Sequence, residues 1–226
     1  MVYSSPTTGY VGPVGDRLIS IYERLLSAFG PQDWWPGDSP FEVCTGAILT
    51  QNTNWKNVRR AISNLKNKDL LRPRAIYELS RESLALIIRP AGYYNVKAGR
   101  LQNFVAFLMD EFRGNLDTMF SMGLEILRPM LLEIKGIGPE TADSILLYAG
   151  ELPSFVVDVY TIRALMRHDL IDGNADYEVV RSLFMDHIPA DVELYNEYHA
   201  LWVMLGKSFC KKTRPRCEEC PLNGKF

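Results

Sequence analysis

The sequence predicts an all-α protein. Apolar residues recur at helical spacing along most of the chain, no hairpin of alternating strands stands out between them, and the connections are short and carry turn chemistry. The first stripe is Leu18, Ile21, Tyr22, Leu25 and Phe29, with Asp16 near its start and Gly30 as its stop. Residues 40–50 and 55–66 read as the next two helices. Leu101, Phe104, Val105, Leu108 and Phe112 form another stripe, closed by Gly114. Ile126, Met130, Leu131 and Ile134 follow, with Pro129 expected in a first turn or at a kink. Ile145, Leu146 and Tyr148 lie on a helix opening near Pro139, and residues 159–168, 176–187 and 191–209 complete the set. Trp35-Pro36-Gly37-Asp38, Arg89-Pro90-Ala91-Gly92 and Asp172-Gly173-Asn174 punctuate the chain rather than divide it.

A length of 226 residues allows one large domain or two small ones sharing a cleft. Apolar residues are 47% and charged residues 23%, an ordinary globular balance. The net charge of −2 excludes a nonspecific nucleic-acid coat protein, so any contact with DNA must come from local patches. Two such patches exist. Lys56, Arg59, Arg60, Lys66, Lys68, Arg72 and Arg74 share a stretch with one acid, Asp69; Lys207, Lys211, Lys212, Arg214 and Arg216 share another with none. No apolar run is long enough to span a membrane. Residues 1–13 read as a loose tail without the pattern of a signal peptide, and a cytoplasmic location is the default expectation. Cys44 stands alone in an apolar stretch, as a small buried hydrophobe would. Cys210, Cys217 and Cys220 cluster near the C-terminus, which suggests a metal site more than disulfides.

The most informative segment runs from Leu131 to Leu146. One helix ends, Lys135-Gly136-Ile137-Gly138 reverses the chain, and a second helix opens at Pro139, which suits a first turn. Both glycines are expected to permit positive φ and close backbone approach. Amides at the start of the second helix could then face a phosphate. Asp158 follows after Phe155-Val156-Val157 and suits the N-cap of a helix opening at Val159.

Together these residues resemble the helix-hairpin-helix and Asp signature of the endonuclease III superfamily of DNA glycosylases, and the resemblance extends over most of residues 15–220. It implies two helical domains around a cleft: a six-helix barrel domain over residues 40–148 ending in the hairpin, and a second domain from residues 14–39 with 149–226. It also implies damaged double-stranded DNA as partner, with Gly136 and Gly138 on its backbone, and a protein acting as a monomer. Asp158 would be the catalytic carboxylate, stabilising positive charge on the sugar or activating water. Its capping role is compatible with that. Strand-cleaving members carry a lysine at the position of Glu140, whose amine forms a Schiff base. A carboxylate cannot, so removal of the base without AP lyase chemistry is expected. Glu140 is otherwise a first-turn acid favourable to the helix dipole, at the edge of the base pocket.

Leu49-Thr50-Gln51-Asn52-Thr53 resembles the helix end whose Gln enters DNA, and Gly92-Tyr93-Tyr94-Asn95-Val96-Lys97-Ala98 the second DNA-penetrating loop. Gln51 and Tyr93 would fill the hole left by a flipped base, and Lys97 would contact DNA. The pairing of Trp34-Trp35-Pro36 with the later Trp55 resembles the 3-methyladenine glycosylase branch, in which Trp34 and Trp55 would sandwich an alkylated purine. Indole faces attract such cations by about 0.5–2 kcal/mol. Each tryptophan also suits an ordinary core position. Cys210, Cys217 and Cys220 match three ligands of the superfamily's iron–sulfur loop, which implies a [4Fe–4S] cluster presenting Lys211 and Lys212 to DNA. Phe226 occupies the position of the fourth cysteine, and zinc is the other option for three thiols. A bifunctional enzyme for oxidised pyrimidines, a mismatch glycosylase and a noncatalytic hairpin module are the alternatives.

Overall fold

The computed structural model describes residues 12–32, 34 and 37–224. Among these the regular structure is entirely helical, as the apolar periodicity predicts. The chain forms two compact units. One joins the residues up to Trp34 with those from Pro153 onward; the other spans Trp35 to Leu152.

The second unit is wrapped around α2 (Pro40–Thr50), whose residues Phe41 to Leu49 are all buried. A helix apolar all round can only be central. Ser39 caps it by accepting from the Glu42 amide, with Pro40 in the first turn. Then come α3 (Trp55–Asn67), capped by Asn54, and α4 (Pro73–Glu78), α5 (Arg81–Ile87) and a 3-10 turn at Arg89–Ala91. The longest helix of this unit, α6 (Tyr94–Phe112), lays Leu101, Phe104, Val105 and Leu108 into the core. After α7 (Leu116–Phe120), α8 (Leu124–Glu133) leads to the hairpin, and α9 (Pro139–Ser144) continues as a π turn over Ile145–Ala149.

The first unit consists of α1 (Gly12–Phe29), α10 (Val159–Arg167), α11 (Tyr177–Met185), α12 (Val192–Ser208) and a 3-10 turn at Cys217–Glu219. Its core is aromatic. Phe155 stacks on Phe184 with ring centroids 3.8 Å apart, and Tyr195 and Tyr198 meet Phe155 edge-on. The Tyr198 hydroxyl donates to the Leu18 carbonyl at 2.7 Å, tying α12 to α1.

Three elements depart from the sequence reading. α1 opens at Gly12, so Asp16 lies past the start and residues 12 and 13 are helical; Pro13 looks like tail composition but suits a first turn. The rest of the expected tail, residues 1–11, lies outside the described residues. α6 begins at Tyr94, because a buried lysine, Lys97, hides the first turns of its apolar stripe. In α8 the buried pair is Leu127 and Leu131, while Ile126 is 53% exposed and Pro129 sits beyond the first turn.

Candidate active site and nucleic-acid interface

In the first unit, the buried run Ser154 to Val157 delivers Asp158 to the start of α10. The carboxylate caps the helix. Its Oδ1 accepts from the amides of Tyr160 (2.9 Å) and Thr161 (2.8 Å) and from the Thr161 hydroxyl (3.0 Å). Its Oδ2 lies 3.7 Å from Nε2 of His199 on α12. Burial alone would push this carboxyl up, but the His199 and Thr161 interactions outweigh it and hold the group below the usual carboxylate range. The result is a buried, ionised carboxylate, which can stabilise a developing cation or take a proton from water. Gly206 makes the arrangement possible: a Cβ there would stand 2.2 Å from Cδ1 of Tyr160, so only glycine lets α12 press against the first turn of α10.

In the second unit, the hairpin reverses through Gly136, at φ +100°, with the Ile137 amide donating to the Ile134 carbonyl at 2.9 Å. A Cβ on Gly136 would meet Cγ of Arg100 at 2.4 Å, so both its conformation and its space require glycine. Gly138 differs from expectation. At φ −95° it is extended, a conformation any residue adopts, and it caps α9 as an exposed position with open space around it. Arg128 and the fully buried Asp143 form a two-pronged pair, at 2.8 and 3.0 Å, that joins α8 to α9. Glu140 is exposed in the first turn of α9.

Gln51 ends α2 against this hairpin. Its Nε2 donates to the Gly136 carbonyl (3.1 Å) and the Thr141 hydroxyl (2.9 Å), while Arg100 donates to its Oε1 (2.5 Å). Tyr93 is 73% exposed and holds the left-handed conformation at φ +45°. A bulky residue adopts that region only under constraint. The loop ahead of α6 is thus Gly92-Tyr93 alone. Lys97 corrects another expectation: only 1% exposed, it presents nothing to DNA. Its ammonium donates instead to the carbonyls of Leu49 and Ala91, each at 2.8 Å, and burial with Arg100 nearby draws its pKa down to about 8.

Trp34 belongs to the first unit and is half-buried, with the Lys207 ammonium 5.4 Å from its ring centre. Trp55 opens α3 and packs, half-buried, on the core of the second unit. Trp35 and Pro36 lie outside the described residues. Cys210, Cys217 and Cys220 line one cavity with Arg167, His168 and Phe209. Arg163 and Arg167 of α10 hold this loop by donating to the carbonyls of Cys210 and Lys211, at 2.7 and 2.8 Å. Lys211 and Lys212 are exposed. Among the described residues no trio of His, Cys, Asp or Glu is close enough to share a single metal ion. Three soft thiols around a shared cavity have the donor chemistry that iron–sulfur clusters take. Phe226 lies outside the described residues.

Sequence reasoning missed two partners. Thr161 had a signal, three residues after a capping Asp. His199 had none, since only the fold brings α12 beside Asp158.

Residues 45–190 match the family model described as HhH-GPD superfamily base excision DNA repair protein. A Methanocaldococcus jannaschii protein, provisionally named a DNA repair glycosylase, is 47% identical over 92% of this chain and 94% of its own. The 3-methyladenine DNA glycosylase of H. pylori, solved with bound 1,N6-ethenoadenine, is 28% identical and superposes with a TM-score of 0.69 over 86% of this chain and 97% of that one. A non-covalent endonuclease III–DNA complex shares the fold at a TM-score of 0.78, with 23% identity over 92% of each chain.

Proposed function

The chain belongs to the HhH-GPD superfamily of base excision DNA repair proteins, and on that premise we propose that it is a monofunctional DNA glycosylase, which flips a damaged base from duplex DNA and hydrolyses its N-glycosidic bond. The observation that carries this reading is Asp158, a buried carboxylate kept ionised by His199 and Thr161. As the base departs, positive charge grows on the sugar, and this fixed anion stabilises it or activates the attacking water.

Glu140 supports the absence of AP lyase chemistry. Standing where a lyase would carry its amine, it cannot form an imine. Gly136 and Gly138 grip the DNA backbone, and Gln51 and Tyr93 occupy the space the base vacates. The constrained, exposed Tyr93 suits a wedge. An alkylated purine such as 3-methyladenine is the proposed substrate, received by Trp34 and Trp55. The likeness to the H. pylori enzyme supports this choice. Cys210, Cys217 and Cys220 would hold a [4Fe–4S] cluster, which supplies rigidity to the loop bearing Lys211 and Lys212.

A panel of single-lesion duplexes tests the function. Free 3-methyladenine should be released, Asp158→Asn should abolish release while retaining DNA binding, and borohydride should trap no covalent adduct. Turnover by Asp158→Asn would end the mechanism, and a trapped adduct would restore the lyase. Iron and sulfide analysis of anaerobically purified protein tests the cluster; a colourless, iron-free protein counts against it.

A further inference from the structure

Three polar side chains of α6, Lys97, Arg100 and Asn103, are spaced three apart and so share one face of the helix. Each reaches a different loop. Lys97 holds the carbonyls of Leu49 and Ala91, which lie two residues before Gln51 and two before Tyr93. Arg100 donates to Oε1 of Gln51, and its stem fills the space beside Gly136 that a side chain there would occupy. Asn103 donates to the Lys135 carbonyl at 2.8 Å, one residue ahead of Gly136.

We propose that this stripe is the positioning element of the DNA-binding face, fixing Gln51, Tyr93 and the hairpin in one register, with Arg100 locking Gln51 to the hairpin. The proposal rests on the glycosylase reading above, in which Gln51 replaces an extruded base.

An unrestrained glutamine would have to be ordered at the moment of insertion, at the cost of its rotamer freedom. Here the cost is met beforehand. Both Nε2 hydrogens are engaged by the hairpin and Oε1 by Arg100, so DNA seated on the hairpin meets Gln51 at a set place. None of the three α6 residues needs to touch DNA to do this.

The test compares a lesion opposite a normal base with the same lesion opposite an abasic site, where no orphan base is left for Gln51 to face. Arg100→Met keeps the stem and removes the guanidinium. It should raise KM and slow single-turnover release about tenfold on the paired duplex, leaving the abasic-opposed duplex nearly unchanged. The fluorescence of 2-aminopurine beside the lesion should show the same loss of unstacking. Arg100→Lys should fall between, and Arg100→Met should add nothing in a Gln51→Leu background. Equal loss on both duplexes, or additive effects with Gln51→Leu, overturns the proposal. If Arg100→Met does not fold, Arg100→Lys and Gln51→Leu still decide: the first must weaken the dependence on the opposite base and the second must lose it. Wild-type protein that releases no base from either duplex defeats the glycosylase reading instead. Gel-shift affinities of the two duplexes then read the stripe separately, with Arg100→Met expected to weaken only the paired one.

Discussion

A carboxylate as buried as Asp158 ionises only because its neighbours outweigh the loss of water, and His199 is the partner that supplies most of that opposition. The sign of its pH effect follows. A depressed carboxyl contributes stability, and stays competent, above its unfolded value of about 3.9, and loses both as pH falls through the lower folded value. Base release by the wild type should therefore be flat on the acid side to pH values near 5. His199→Leu leaves the Thr161 hydrogen bonds as the remaining opposition to burial, raises the Asp158 pKa and moves the acid limb of kcat upward. Superimposable kcat–pH profiles for the two proteins would dismiss the role given to His199. Gly206→Ala is expected to act on the same carboxylate from the other side, because its methyl meets Tyr160 and pushes α10 away; overpacking of this kind costs about 1–3 kcal/mol. A lowered melting temperature together with slower base release should result. That Asp158 would cap α10 was legible in the sequence from its place ahead of Val159. His199 was not, since a histidine in an apolar helix gives no sign of which distant loop it will face.

At the scale of elements, the hairpin depends on Arg128 and Asp143 as much as on its glycines. Removing Arg128 takes both of its hydrogen bonds away from the fully buried Asp143, and breaking a buried pair in this way costs up to about 3–5 kcal/mol. Arg128→Met should lower stability by that order in urea denaturation, and the double change with Asp143→Leu should recover most of it. A loss no larger than that of a surface substitution would show the pair to be dispensable. Helix ends read from the sequence held where capping chemistry was local, as at Ser39-Pro40 and Asp158-Val159. They failed where tertiary contacts chose the face. Lys97 looked like a loop cation for DNA because a lysine's burial depends on carbonyls from two other segments, and no local pattern encodes those. Gly138 looked like a twin of Gly136, yet only the latter turns the chain.

For the whole molecule, a formal charge of −2 means that attraction to DNA must be local. Lys211 and Lys212 are exposed on the cysteine loop, and each phosphate they neutralise should contribute about 0.9 to the slope of log affinity against log salt. Lys211→Ala with Lys212→Ala should flatten that slope by somewhat under two, without changing lesion preference. An unchanged slope would place the loop away from the backbone. The helical class and the motifs were legible because periodicity and turn chemistry are local. The assembly of one unit from both ends of the chain was expected only through the family resemblance, because its contacts span nearly the whole sequence and no local pattern encodes them.

That last arrangement bears on how the protein comes into being. The hydroxyl of Tyr198 and the carbonyl of Leu18 are separated by 180 residues, and His199 adjoins Tyr198 in the chain. On the ribosome, where synthesis is vectorial and units fold as they emerge, residues 35–152 can close first. α1 must wait for α12, and until it arrives Asp158 lacks the burial and the His199 contact that surround it in the finished unit. A nascent chain thus completes the unit that carries the hairpin before the unit that carries Asp158.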